Sequence, residues 1–394
     1  MIKDTYIKGV ATGGGGGGGS VGAKLMKTNQ TISFATGDDG DLQQGRLNSF
    51  FILNSNNVFG TNERFTDDIG TQAYSNRIAI DHSTDNGTEI LGFFADSTGT
   101  NRTWEDSIDW ALSVSVGTFT SGWSLPNKRQ MYSVINDGAA GHGLNYATFL
   151  IIGNALSTGY WSSTTTNNIT TYATMISSSR YSAERVIKTL AVRAYAVRNF
   201  TYSDLGVTGA INPIVGCKLN KTGVTVSQRT GDDGDIQSGR NVDFFTLSSN
   251  NPFGTTERFT DEIGTQVYAN RIVIDWSSYD GAEVLGYYRN AFSNAIWNTA
   301  IDNCLALSVT GFTSGWRLVN SQEMFNLMNA STSRALNWSP INQGAGNDRY
   351  WTSSNPSGQP VFFGQQFLMG KVPNTQLYKA MPIRTFTVTG TTLT

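Results

Sequence analysis

Six aspartates in two short turns carry the densest oxygen chemistry in the chain: Asp38, Asp39 and Asp41 in TGDDGD from Thr36, and Asp232, Asp233 and Asp235 in the same six letters from Thr230. Calcium is held by several carboxylate oxygens gathered on a tight loop, so each turn is a candidate calcium site. No Glu follows at the spacing that would close a helix-flanked calcium loop. Asp/Gly turns also use their carboxylates to cap backbone amides, and that role is the stronger expectation here. Arginines and acids recur in register as well: Arg64, Arg77 and Arg193 are matched with Arg258, Arg271 and Arg384, and Asp67 and Asp81 with Asp261 and Asp275. Buried guanidinium–carboxylate pairs are the expected use, because a loop-rich domain needs polar struts.

Other chemistry is thinly supplied. The only histidines are His82 and His142, and no CxxC occurs, so a zinc site or a His-based triad has few ligands to draw on. Both cysteines, Cys217 and Cys304, fall in the second half, opposite Ala23 and Ala111 in the first. A disulfide repeated in each half is thereby excluded. Two buried thiols are expected, and a bridge would need Cα atoms within about 7 Å.

The elements that position these residues occur twice. Gly37 maps to Gly231 and Asp81 to Asp275, an offset of 194 in each case (231 − 37; 275 − 81). Such identity through polar, loop-like sequence means two units of one fold. For 394 residues this gives two domains, each large enough for its own core. The expected boundaries are an N-terminal anchor and polyglycine tether over 1–20, a first domain over 21–200, a linker over 201–216 and a second domain over 217–394. Charged residues are 15% of the chain, against about 25% in ordinary globular proteins, and aromatic residues reach 11%. That mix favours a loop-rich, β-containing protein that works through its surface. A net charge of −2 gives no basic footprint, so neither nucleic acid nor an anionic membrane is an expected partner. MIKDTYIKGV lacks the apolar centre of a signal peptide and no run of 18 apolar residues occurs, which predicts synthesis in the cytoplasm without conventional secretion. The seven glycines Gly13 to Gly19 read as a tether, or, if packed, as a segment held by neighbouring chains in an assembly.

Within each unit one order is expected. A short strand (30–34; 223–228) enters the acidic turn, NRIAID and NRIVID alternate as strands with one buried face, and LGFF and LGYY form another strand. In TWEDSIDWAL the residues Trp104, Ile108, Ala111 and Leu112 share one helical face, with Thr103 and Asp106 as a capping box. The second copy repeats it at Trp297, Ile301, Cys304 and Leu305. A second short helix starts at Asn127 or Asn320, with Glu323 completing a box in the second copy, and buries Met131, Val134 and Ile135 or Met324, Leu327 and Met328. The tryptophans Trp104, Trp123 and Trp161, matched by Trp297, Trp316 and Trp351, read as core rather than as sugar-stacking platforms.

The ordered series GDDGDLQ, RFTD, a Trp-led amphipathic helix, WxLPN, YWSS and a final VRxxxVR resembles the Lcl C-terminal domain family, over nearly all of each repeat. The resemblance implies an α+β chain of two tandem C-type-lectin-like domains behind a short glycine-rich N-terminal segment, used in adhesion on bacterial surfaces or phage particles. It brings no established catalytic residues. The family's WRLPN stands here as Trp123-Ser124-Leu125-Pro126-Asn127 and as Trp316-Arg317-Leu318-Val319-Asn320. Asn347-Asp348 ahead of Arg349-Tyr350-Trp351 is similar to the WND element of calcium-dependent lectins, although the first unit has Thr158-Gly159 there and neither copy has EPN or QPD. A loop-ending turn is therefore the preferred reading. An enzyme of the formylglycine-generating kind, which shares the general fold, needs reactive cysteines that the first repeat lacks. No catalytic activity is expected.

Where the copies differ, the core does not dictate the residues, and loops on a rigid frame are where ligands are usually met. His82 becomes Trp276, and the loops 137–159 and 330–349 diverge, so recognition is expected there, with Tyr146, Asn337, Trp338, Asn347, Asp348 and Arg349 as candidate contacts. The expected function is a bacteriophage virion protein, a fibre or capsid decoration, present in several copies, held by other virion proteins through its N-terminal segment and presenting lectin-like domains to a host glycan or protein. The alternatives are a structural virion brace and a bacterial surface adhesin.

Overall fold

The computed structural model describes residues 33–42, 51–53, 55–66, 78–85, 87–95, 100–135, 159–166, 169–177, 182–207, 224, 226–236, 243–260, 272–289, 291–309, 311–329, 348–355, 358–364 and 369–394. The polyglycine run, most of the linker, Cys217, His142, Arg77, Arg271, Asp67, Asp261, Tyr146, Asn337, Trp338 and Asn347 lie outside them.

The chain is α+β. Its first repeat runs α1 (Asp39–Leu42), β1 (Phe65–Thr66), β2 (Ile78–Asp81), β3 (Glu89–Ala95), α2 (Trp104–Ser113), α3 (Lys128–Ser133), β4 (Gly159–Thr166), β5 (Ile169–Ser177), β6 (Ser182–Ile187) and β7 (Tyr195–Thr201). The second runs α4 (Asp233–Ile236), β8 (Phe259–Thr260), β9 (Ile272–Asp275), β10 (Glu283–Tyr288), β11 (Phe292–Ala295), α5 (Trp297–Leu305), β12 (Arg317–Leu318), α6 (Ser321–Leu327), β13 (Arg349–Trp351), β14 (Val361–Gly364), β15 (Met369–Lys371), β16 (Tyr378–Ala380), β17 (Pro382–Thr389) and β18 (Thr392–Leu393). The main sheet has the order β1-β2-β3-β7 in one repeat and β12-β17-β10-β9-β8 in the other, with β18 on β17. A smaller sheet accompanies each, β4-β5-β6 and β11-β16-β13-β14-β15. The described ends of the strands expected before the acidic turns, 33–34 and 226–228, are irregular.

The NRIAID and NRIVID strands form, but alternation with one wet face does not hold, since all four residues of β2 and of β9 are buried. The reason lies in what each face meets. Ile78 and Ile80 join a core within the first repeat, whereas Ala79 points into a second core that draws residues from both repeats. Ile272, Ile274 and Val273 divide in the same way.

The shared core is built on α3 and α6, every residue of which is buried. Asn127 and Asn320 cap these helices, each with a reciprocal box through Gln130 or Glu323, so the first copy has a box as well as the second. Tyr132 stacks on Phe325 with ring centroids 4.2 Å apart and planes at 15°. Around them Arg129 donates to Asn326 Oδ1 at 2.7 Å and to the Met328 carbonyl at 3.0 Å, and Gln322 donates to the Tyr132 carbonyl at 3.0 Å. The repeats thus share one continuous interior. Removing either would expose Tyr132 or Phe325, at a cost of about 2 kcal/mol or more for each aromatic left in water.

Helix α2 forms where its periodicity places it, with Thr103 accepting from the Asp106 amide, and Trp104, Ile108 and Ala111 are buried. Leu112 is not in the core, nor is its counterpart Leu305: they are 42% and 38% exposed. Their contacts belong to the acidic turns. All six recurring tryptophans are buried, each indole N–H donating to a backbone carbonyl, as from Trp104 to Ser162 at 2.9 Å and from Trp297 to Thr352 at 2.8 Å. They have no free face on which a sugar could stack.

Candidate functional site

Each acidic turn closes on itself. Asp38 Oδ2 accepts from the amides of Phe34 at 2.7 Å and Ala35 at 3.1 Å, its Oδ1 accepts from the Asp41 amide at 2.9 Å, and Asp41 accepts from the Gly37 amide at 2.9 Å. Asp232 and Asp235 repeat the pattern on Gln228, Arg229, Asp235 and Gly231. These carboxylates serve as acceptors for the backbone of their own turn, as capping requires. Among the described residues no group of three or more His, Cys, Asp or Glu is gathered so as to hold a metal.

The third carboxylate of each turn reaches across the molecule. Asp39 Oδ2 accepts from the Ser354 hydroxyl at 2.9 Å and its amide donates to the Ser353 carbonyl at 3.1 Å, both in the second repeat. Asp233 Oδ2 accepts from the Thr164 hydroxyl at 2.8 Å, in the first. The docking contacts of each turn thus run to the opposite repeat. Sterics agree. Gly37 and Gly231 have φ of 84° and 87°, and a Cβ there would lie 2.5 Å from Leu305 Cδ1 and 2.7 Å from Leu112 Cδ1. The left-handed backbone calls for glycine, and a side chain there would also displace the leucine tip of the opposite repeat's helix. Lys188 donates to Gln228 at 2.7 Å, and Arg229 bridges to Asp109, adding surface ties between the second turn and the first repeat.

Two of the recurring arginines are struts. Arg64 meets Asp81 through two bonds of 2.9 and 2.8 Å and donates to the Ser133 carbonyl at 2.9 Å, which fixes the sheet to α3. Arg258 meets Asp275 at 3.0 Å twice and donates to the Asn326 carbonyl at 3.0 Å. Both pairs are fully buried. The match of Arg193 with Arg384 does not hold. Arg384 faces Gly286 across the sheet and lies over Phe312 and Phe386, as Arg198 faces Gly92 and lies over Phe119 and Phe200. Arg193 bridges to Tyr160 in parallel, the place that Lys379 takes beside Tyr350. Two arginines in one motif, AVRAYAVR, allowed the register to slip by five residues.

His82 and Trp276 differ in type but not in use. His82 Nε2 and the Thr66 hydroxyl lie 2.9 Å apart, and Trp276 Nε1 donates to the Thr260 hydroxyl at 3.0 Å. Both side chains are buried, so this difference marks core packing rather than a recognition surface. Burial pulls the His82 imidazole down to about 4, with Asp81 opposing, so the ring is neutral near neutrality. Cys304 is buried and free, and burial pushes its thiol pKa up.

Of the six candidate contact residues, Asp348 and Arg349 fall among the described residues and sit side by side at the start of β13. Arg349 is exposed, donates to the Tyr378 hydroxyl at 2.9 Å, and lies over Phe362 at 5.1 Å and Tyr378 at 5.5 Å. Asp348 accepts from Lys379 at 2.8 Å. Sheet register places Gly159, Val192, Arg193 and Met175 at the corresponding points of the first repeat, so among the described residues the arginine, tyrosine and phenylalanine of this surface have no like residues there. The sequence pointed to Asp348 and Arg349, but Tyr378, Lys379 and Phe362 were missed because only strand pairing brings them there.

No protein-family model, curated protein or solved structure matches this chain. Among the described residues no helix is long and apolar enough to cross a membrane.

Proposed function

We propose that this chain is a bacteriophage virion protein, a fibre or capsid decoration, whose two lectin-like repeats present a host-binding surface in the second repeat. The observation that carries the reading is the cluster of Asp348, Arg349, Tyr378 and Lys379, an exposed arginine braced on aromatic rings beside a salt-bridged pair at 2.8 Å, found among the described residues in the second repeat. Guanidinium, ammonium and carboxylate groups on aromatic backing suit the hydroxyls and acidic groups of an envelope glycan. The resemblance to the Lcl C-terminal domain family supports an adhesive use of that surface. Deleting 201–394 is a poor test, since it would strip the first repeat of the turn that docks on it. Arg349→Ala and Lys379→Ala in the full chain are better. Both should leave folding intact and reduce binding to whole bacterial cells and to their envelope polysaccharide by tenfold or more. Unchanged binding would reject the surface, and absence of the protein from purified phage particles by mass spectrometry would reject the virion assignment.

A structural brace is the second reading, favoured by the continuous core through Tyr132 and Phe325, which packs the repeats against each other. It predicts particles destabilised by seam substitutions and indifferent to Arg349→Ala.

A further inference from the structure

Residues 36–41 and 230–235 have one sequence, and each folds by the same four bonds from amide to carboxylate, all within four residues along the chain. Such a turn is a self-contained unit. The two sites that receive these turns are built alike. In the first repeat the Thr164 hydroxyl accepts from the Lys128 amide at 2.9 Å and donates to Asp233; in the second, the Ser354 hydroxyl accepts from the Ser321 amide at 3.0 Å and donates to Asp39. A leucine from the preceding helix, Leu112 or Leu305, covers the glycine of the incoming turn. Each site also sets a buried cation in the field of the incoming carboxylate, Lys128 toward Asp233 and Arg317 toward Asp39, although from different positions in the repeat. Asp39 and Asp233 are themselves 2% exposed, so the docked carboxylates are sealed in.

The contacts made by the six shared residues therefore use the same groups at both sites, and only the flanking Gln228 and Arg229, tied to Lys188 and Asp109, mark the second turn. Connectivity, the seam at Tyr132 and Phe325 and those flanking ties select which turn is seated where within one chain. We propose that these receiving sites bind the T-G-D-D-G-D turn of any copy of this chain, so that molecules join by exchanging turns, Asp39 of one copy on Ser354 of another and Asp233 on Thr164. Reciprocal exchange leaves every contact satisfied, the condition under which swapped dimers form at low cost. The tethered turn competes at an effective concentration on the order of millimolar, so exchange is favoured where copies fold at high local concentration.

The test uses the full chain with Cys217→Ala and Cys304→Ala, the residues found at the matching positions of the first repeat. A chain with Asp39→Cys and a chain with Ser354→Cys are unfolded together in guanidinium, refolded at low and high concentration, and treated with a short bismaleimide. The expected result is an interchain product of the mixed chains that rises at least fivefold with refolding concentration and exceeds that from either chain alone. A single chain carrying both substitutions should link internally at low concentration. Internal linkage without any mixed interchain product, at every concentration, overturns the proposal. Should the cysteine chains fail to refold, mass photometry of the unmodified protein refolded at high concentration decides: dimers that persist on dilution support exchange, and monomers alone refute it.

Discussion

Replacing Asp38 with Ala tests whether the acidic turn is held by its own backbone bonds. The carboxylate is fully buried and accepts from three amides, those of Phe34, Ala35 and Asp41. Hydrogen bonds to a charged acceptor contribute about 1.5–3 kcal/mol each, but three on one group are not additive, so a loss of roughly 3–5 kcal/mol is expected. Against a typical total of about 5–15 kcal/mol this is a large fraction. Asp38→Asn should cost about half as much, because its one remaining oxygen serves either the Phe34–Ala35 amides or the Asp41 amide but not both sets. Asp232→Ala should match Asp38→Ala to within about 1 kcal/mol, since its three bonds are the same and Asp232 is equally buried. Urea unfolding followed by tryptophan fluorescence reads these values, with and without added calcium. A loss under about 1 kcal/mol in Asp38→Ala would refute the capping account. A calcium-dependent rise in stability that Asp38→Asn abolishes would replace it with a metal site.

Arg258→Met strands the Asp275 carboxylate in the interior and should cost about 3–5 kcal/mol in urea unfolding, while Arg258→Met with Asp275→Asn should recover part of it; a single variant near wild type would show the pair to be ornamental. Stability should fall by about 3 kcal/mol as pH drops from 6.5 toward 4, since the unfolded chain takes up a proton that buried His82 refuses until its folded pKa of about 4. His82→Trp, which copies Trp276, should remove that part of the slope, and an unchanged pH profile would contradict the assignment. Cys304 should react with a thiol reagent only as fast as the protein unfolds; rapid labelling of the native protein would show the site to be open.

Local pattern carried the parts of this fold that are decided locally. Helix α2 is set by the spacing of Trp104, Ile108 and Ala111 behind the Thr103 cap, and α3 and α6 by Asn127 and Asn320. The Arg64–Asp81 strut was legible because a buried pair must recur with both members, and it does. What was illegible depends on partners distant in the chain. Ala79 and Val273 were expected to be wet because alternation reports that a strand has two faces, not what covers the second. Leu112 was assigned to the core on helical spacing, whereas its place is under the glycine of the other turn. The surface of Arg349 was half seen, as Tyr378 and Lys379 arrive from a strand 29 and 31 residues away.

The turns, each docked on the opposite repeat, expose a degeneracy peculiar to tandem repeats. A contact between residue i and residue j of one copy, and a contact between i and the counterpart of j in the other copy, satisfy the same residue types. Asp39 needs a hydroxyl and a small gap over a leucine; Thr164 with Leu112 and Ser354 with Leu305 both offer this. The repeated block could therefore announce that turn and receiving site belong together, but not which pair is formed. Tether length and the seam at Tyr132 and Phe325 make that choice, and they are properties of the assembled chain. Strong identity between the two turns is then itself explained: each must fit a site built by its twin, so a change in either turn has to satisfy the surface of the opposite repeat. The divergent surface around Arg349 is under no such constraint, and it is there that the two halves are free to do different things.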